Sequence, residues 1–187
     1  MNGKIVGGVI VGAAALVGAA IWYLQVYGFY DRVELAAGET PVELTSLASG
    51  LPEAIIADDF QAIDADSSPI RYRACFTTPM SQAMLSETYT PYLEAVPLTG
   101  PGWFDCYDAE EVGVALEEGR AIAFTGEQNI YYGIDRVVAI MDDGRGFVWH
   151  QINHCGEEVF DGNPPPQGCP DPEGYKAETP QESESNG

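Results

Sequence analysis

The dominant feature of the hydrophobic pattern is an unbroken run near the start of the chain. From Ile5 to Leu24 there is no charged residue and no proline. At 1.5 Å per residue these ~20 positions make about 30 Å of helix, the thickness of a bilayer's hydrocarbon core. Lys4 precedes the run, and Trp22, Tyr23, Tyr27, Phe29 and Tyr30 close its far end, where amphipathic rings favour the headgroup layer. The pattern predicts a membrane-anchor helix within residues 1–30. The rival reading is a signal peptide cut at Gly18-Ala19-Ala20. It is disfavoured because the apolar run continues past that point and large aromatics come after it, whereas a signal core is shorter. On the helix Gly8, Gly12, Ala15 and Ala19 fall within about 60° of one another. Such a small-residue face lets a second helix approach closely, although a segment rich in Gly and Ala also produces the spacing by chance.

Beyond the helix the periods shorten. Residues 31–54, punctuated by Gly38, Pro41, Gly50 and Pro52, read as an extended connector, parts of which pack on the folded domain. Residues 55–169 carry the alternation of that domain. A hairpin is expected over roughly 60–66 and 69–77, around the turn cluster Asp66-Ser-Ser-Pro69, with Arg71 and Arg73 on one strand face and Ile70, Tyr72 and Ala74 on the other. Thr78-Pro79 reads as the start of a short helix to about Ser86. Pro91, Pro97, Gly100, Pro101 and Gly102 then make 87–104 a loop. Asp108-Ala-Glu-Glu111 is an N-cap with a capping-box acid, Val112, Ala115 and Leu116 supply an apolar stripe, and Gly119 is a stop, so a helix spans 109–118. Strands come next at 120–125, 130–141 and 147–153, the last two joined at Asp142-Asp-Gly-Arg-Gly146. The fold class is therefore α+β: one N-terminal transmembrane helix, then a small antiparallel-sheet domain with two short helices. After Cys169 the chain is Pro-, Gly- and Glu-rich, and residues 170–187 read as a disordered acidic tail.

Charge narrows the partners. The chain carries 8 Lys+Arg against 29 Asp+Glu, a net charge of −21. Every acid lies at or beyond Asp31, so the part after the helix repels phosphate backbones, and nucleic-acid binding is excluded. The plain reading of such a surface is solubility; the sharper one is attraction to a basic partner or to divalent cations.

The four cysteines, Cys75, Cys106, Cys155 and Cys169, all lie beyond the helix and form no C-x-x-C pair. An even number in an exported domain suggests disulfides, with three pairings to choose from. The combination Cys75–Cys106 and Cys155–Cys169 is favoured, since it pins the 87–104 loop and closes a loop around Pro164-Pro-Pro166. The alternative is a metal site. His150 and His154, the only histidines, flank Gln151-Ile-Asn153 and precede Cys155. On a strand the two imidazoles share a face while Cys155 points away, and imidazole with thiolate suits zinc or copper. Asp64 and Asp66, near Asp58 and Asp59, are a weaker calcium candidate without EF-hand spacing. No G-x-S-x-G, Gly-rich phosphate loop or H-E-x-x-H is present, and with 29 acids available a carboxylate pair carries little weight. No catalytic residue and no cofactor is assigned.

The segments Met1-Asn-Gly-Lys-Ile-Val-Gly-Gly8, Tyr23-Leu-Gln-Val-Tyr27 and Ile63-Asp-Ala-Asp-Ser-Ser-Pro-Ile-Arg-Tyr-Arg-Ala-Cys-Phe76 resemble a small uncharacterised family of bacterial single-pass membrane proteins. The likeness runs from the start to about Cys169. It implies a bacterial inner-membrane location and a domain of unknown function, but no activity and no site residues. Some relatives are labelled histidine kinases, yet no ATP-binding Gly-rich segment occurs here and too few residues come after the anchor for such an enzyme. Lys4 and the α-amino group against Arg32, the scarcity of Lys and Arg downstream, and the cysteines together place the N-terminus in the cytoplasm and the domain in the periplasm. The expected role is a non-enzymatic accessory or interaction protein with a membrane or exported protein partner; the alternative is a periplasmic metal-binding or metal-delivery domain using His150 and His154.

Overall fold

The computed structural model describes residues 2–36, 39–172 and 174. The apolar run forms helix α1, Gly3–Tyr23, extended by a π-helical turn over Leu24–Gly28. No residue of either piece is buried. Together they make a 26-residue helix long and apolar enough to cross a membrane.

The rest is an antiparallel sheet with short helices on its faces. Along the chain come β1 (Asp31–Arg32), β2 (Glu43–Thr45), β3 (Pro52–Ala54), β4 (Asp58–Asp64), β5 (Arg73–Thr77), α2 (Gln82–Thr88), α3 (Ala109–Glu117), β6 (Ala121–Tyr131), β7 (Ile134–Met141), β8 (Arg145–Ile152) and α4 (His154–Phe160). Six strands form one sheet in the order β1-β4-β5-β8-β7-β6, and β2 and β3 make a separate two-stranded sheet. Every pairing is antiparallel.

Both faces of the large sheet are covered. Ala74, Phe76, Phe124, Val138, Ile140 and Val148 pack on one side against Leu44 of the small sheet, Val42 and Ile55 flanking it, and Leu85 and Tyr89 at α2. Cys75, Ala123, Val137, Ala139, Phe147 and Trp149 pack on the other against Val112 and Ala115 of α3 and against Phe104 and Tyr107. Two-sided burial explains why Val137-Val-Ala-Ile-Met141 shows no alternation. Gly146 makes the first layer fit: a Cβ there would lie inside the ring of Phe76.

Several sequence expectations shift. Residues 31–54 are more than a connector: Asp31 and Arg32 pair with Asp64 and Ile63 at the sheet edge, and Val42 and Leu44 are core. Helix α2 starts later than Pro79, at the cap Ser81, whose hydroxyl accepts from the Met84 N–H at 3.3 Å. Helix α3 lies where expected, with the Asp108 carboxylate accepting from the N–H groups of Glu110 and Glu111. Strand β6 runs on to Tyr131, and the chain turns at Tyr132-Gly133 inside what reads as one strand over 130–141. Asn129 and Gly133 adopt φ values of 50° and 72°, and the Asn129 side chain accepts from the Gly133 N–H at 3.0 Å, so a local asparagine turn sets that reversal. Strand β8 ends at Ile152, and a further short helix, α4, begins at His154 under the Asn153 cap. The acidic tail, apart from residues 170–172 and 174, and Gly38 of the expected connector lie outside the described residues.

Candidate functional site

The junction between α1 and the domain is built from side chains of both. Trp103 donates its indole N–H to the Val26 carbonyl at 2.6 Å. Its ring stacks with Tyr27 at 6.1 Å between centroids and meets Tyr30 edge-on at the same separation. Arg71 joins the group, its guanidinium 5.6 Å from the Tyr30 centroid. A helix leaves its last carbonyls without intrahelical partners, and Trp103 satisfies one of them.

Trp103 lies at the end of the segment expected to be a loop over 87–104, and that segment is irregular but tied at many points. The disulfide Cys75–Cys106 joins it to β5. Arg73, buried in β5, donates to the carbonyls of Leu98 and Thr99 and, on its own side, to those of Ile70 and Tyr72. Burial lowers the guanidinium's pKa, opposed by the nearby Tyr107 and Tyr30; its positive charge is met by carbonyl dipoles and the Tyr107 ring. Gln151 fixes the middle of the segment, accepting from the Val96 N–H and donating to the Glu94 carbonyl. The Tyr92 N–H donates to the Ala123 carbonyl and the Thr125 N–H to the Thr90 carbonyl, so the segment also lies along the outer edge of β6.

The two histidines are not brought together as ligands. His150 is buried in β8. Its Nε2 accepts from Arg136 Nε at 3.1 Å, which leaves the proton on Nδ1 for the Pro69 carbonyl at 2.8 Å. Its ring stacks on Tyr72 at 4.6 Å, and Arg136 also lies over that tyrosine, 4.9 Å from its centroid. Burial, with Arg136 adding repulsion, pushes the imidazole down to about 3. Both ring nitrogens are therefore occupied by protein groups, and neither is open to a metal. His154 is exposed at the first position of α4, beyond the end of the strand on which it was expected to share a face with His150. Among the described residues no three His, Cys, Asp or Glu side chains converge as metal ligands. Asp64 closes β4 while Asp66 sits in the following turn, so the two do not share a strand face; burial raises the Asp64 carboxyl, and the Ala65 N–H opposes the shift.

Cys75 pairs with Cys106 and Cys155 with Cys169, 6.1 and 5.7 Å apart at Cα. The second bridge ties α4 to the Pro-rich stretch, where Tyr132 also donates its hydroxyl to the Pro170 carbonyl. Gly8, Gly12, Ala15 and Ala19 are all exposed on α1.

A third cluster was invisible in the sequence. Asp135 is buried in β7 and accepts from the Asn129 N–H, the Asn153 amide and the Tyr92 hydroxyl. Asn153 also caps α4 through the Gly156 N–H. Burial, then the charge of Asp135, raises the Tyr92 hydroxyl's pKa, so the tyrosine remains a donor. The cluster locks the β6–β7 turn, the edge segment and α4 to each other. Its polar groups are spent on each other, as expected of a structural network. Beside it, Pro91, Tyr92, Leu93, Leu116, Ala121 and Ala123 line a shallow apolar groove of about 250 Å³, below the roughly 300 Å³ of ordinary small-molecule sites.

Residues 42–170 match DUF6446, a family of unknown function, and the chain belongs to that family. No curated protein and no solved structure matches it. The matched region begins at the core residue Val42, just before β2, and ends just past Cys169. It includes the Trp103 segment and both disulfides and leaves α1 outside.

Proposed function

We propose that this chain is a membrane-anchored accessory protein: α1 holds it in a bilayer, and the acidic, disulfide-bonded domain acts outside the cytoplasm by binding another exported or membrane protein. The observation that carries this reading is the pairing of an apolar helix that buries none of its residues in the protein with a domain whose four cysteines are all in disulfides. A 26-residue apolar helix with no buried residue calls for a non-aqueous partner, and disulfides persist in oxidising compartments. The absence of a catalytic role is part of the proposal. It is supported by the way the buried titratable groups, His150, Asp135 and Arg73, are engaged by other parts of the fold and none of them faces the apolar groove.

The test is recovery of the tagged full chain from its native membranes in a mild detergent. A partner at fixed stoichiometry, retained through a second purification step, is the expected result. A chain that always purifies alone would contradict an accessory role.

A further inference from the structure

The joint between helix and domain has a depth as well as a geometry. If α1 spans a bilayer, its 26 helical residues reach about 39 Å, some 9 Å more than a hydrocarbon core of about 30 Å. The final π-helical turn, which includes Val26, then lies among the headgroups. Trp103 is hydrogen-bonded to Val26 and must lie at the same level. Its ring is only half-buried; Tyr27, stacked on it, is exposed, as is Phe29 between Tyr27 and Tyr30 in the chain. Indole and phenol rings partition to this layer because they join an apolar body to a polar edge.

The charge at the joint suits the same surface. The domain is acidic overall, which disfavours contact with anionic lipid. Yet Arg32 lies just past the helix, and Arg71 lies over Tyr30. Neither is in an ion pair among the described residues, whereas Arg120 and Arg145 are. Arg71, over the half-buried Tyr30, and the exposed Arg32 offer guanidinium groups to lipid phosphates, while the exposed Asp31 and Glu34 beside Arg32 suit the cationic end of a zwitterionic headgroup and disfavour anionic lipid. The segment carrying Trp103 is held to β5 by the Cys75–Cys106 bridge and by Arg73, so its seating fixes the whole sheet.

We infer that the domain is seated on the bilayer, with Trp103, Tyr27, Phe29, Arg32 and Arg71 forming a collar that binds zwitterionic phospholipid headgroups. This rests on the reading of α1 as an anchor. The collar orients the partner-binding surface at a fixed height and angle above the membrane.

The full chain in phosphatidylcholine vesicles, brominated near the glycerol end of the acyl chains, tests it through tryptophan quenching. Trp149 is fully buried in the sheet and supplies a constant background, read from W22F/W103F. W22F then reports Trp103, and W103F reports Trp22 in the anchor. The collar predicts that brominated lipid removes emission from both single variants beyond the background. Quenching in W103F but not in W22F would overturn the collar and leave the anchor standing, including the case in which a protein partner covers Trp103 instead. Quenching in neither would show that α1 does not insert, and both readings would fall.

Discussion

Trp103 and Val26, 77 residues apart in sequence, share a hydrogen bond of 2.6 Å that makes the end of α1 part of the domain. Trp103→Phe keeps most of the ring and removes the donor, leaving the Val26 carbonyl to water. A net loss of about 1 kcal/mol at the joint is expected. In detergent, protease cutting between Tyr30 and Leu35 should become several-fold faster while the disulfide-bonded core survives intact. Unchanged cutting would mean that the joint is not closed in solution.

Two glycines should respond to alanine with opposite signs. Gly146 has the Phe76 ring where its Cβ would go, so Gly146→Ala must displace a core aromatic and should destabilise the domain by about 1–3 kcal/mol. Gly113 sits within α3 with nothing near its Cβ position, and Gly113→Ala should stabilise it by about 0.5–1 kcal/mol. Urea midpoints of the two variants check both signs.

His150 gives the fold an acid-sensitive element. Its pKa falls from the ordinary 6.5 to about 3 on folding. Between those values the unfolded chain binds a proton that the folded one refuses. Its contribution is therefore fully present above pH 6.5 and is lost as the pH drops toward 3. About 2–3 kcal/mol should disappear between roughly pH 6.5 and pH 4.5. Asp64 and Glu127, whose carboxyls burial raises, slope the other way. The comparison that isolates the histidine is wild type against His150→Gln, in which this part of the slope should vanish. Equal slopes in the two proteins would show that the imidazole titrates normally.

The two bridges should differ in access. Cys75 is buried and its partner Cys106, though partly exposed, packs against the core of α3 and the large sheet, whereas Cys155 and Cys169 are both partly exposed and belong to neither core layer. Under graded reduction and alkylation, Cys155 and Cys169 should be labelled first, with Cys75 and Cys106 reacting only near global unfolding. Removing Cys75–Cys106, which closes the longer loop (31 residues against 14), should cost about 3–4 kcal/mol, slightly more than removing the other.

The features legible in the sequence are those set by local signals. The Ile5–Leu24 run and the Asp108 cap act within one helix, and both elements lie where the pattern puts them. The α+β class was legible for the same reason. The reversal at Tyr132-Gly133 was hidden because Asn129 sets it through its own side chain, inside a stretch with no Asn-Gly or Asp-Gly signal. Helix α4 went unread: the last strand was expected to end at Asn153, and only the metal alternative carried it on to His154, because the cap that starts the helix, Asn153, looked like an ordinary polar residue. Contacts between distant segments were beyond reach. Trp103 stands among prolines and glycines with no hint of Val26, and Arg73 gives no sign that its partners are the carbonyls of Leu98 and Thr99. A buried His150 is likewise indistinguishable in sequence from a ligand until Arg136 and Pro69 are seen on its two nitrogens.

An intact anchor carrying an oxidised domain is open to one decisive check, the intact mass of the protein extracted from carbonate-washed native membranes. Alkylation before any reduction, with the mass measured afterwards, reads both parts at once. The uncut chain, retained in the membrane pellet with no cysteine modified, is the expected result. A chain trimmed near Ala20, or four alkylated thiols, would contradict it.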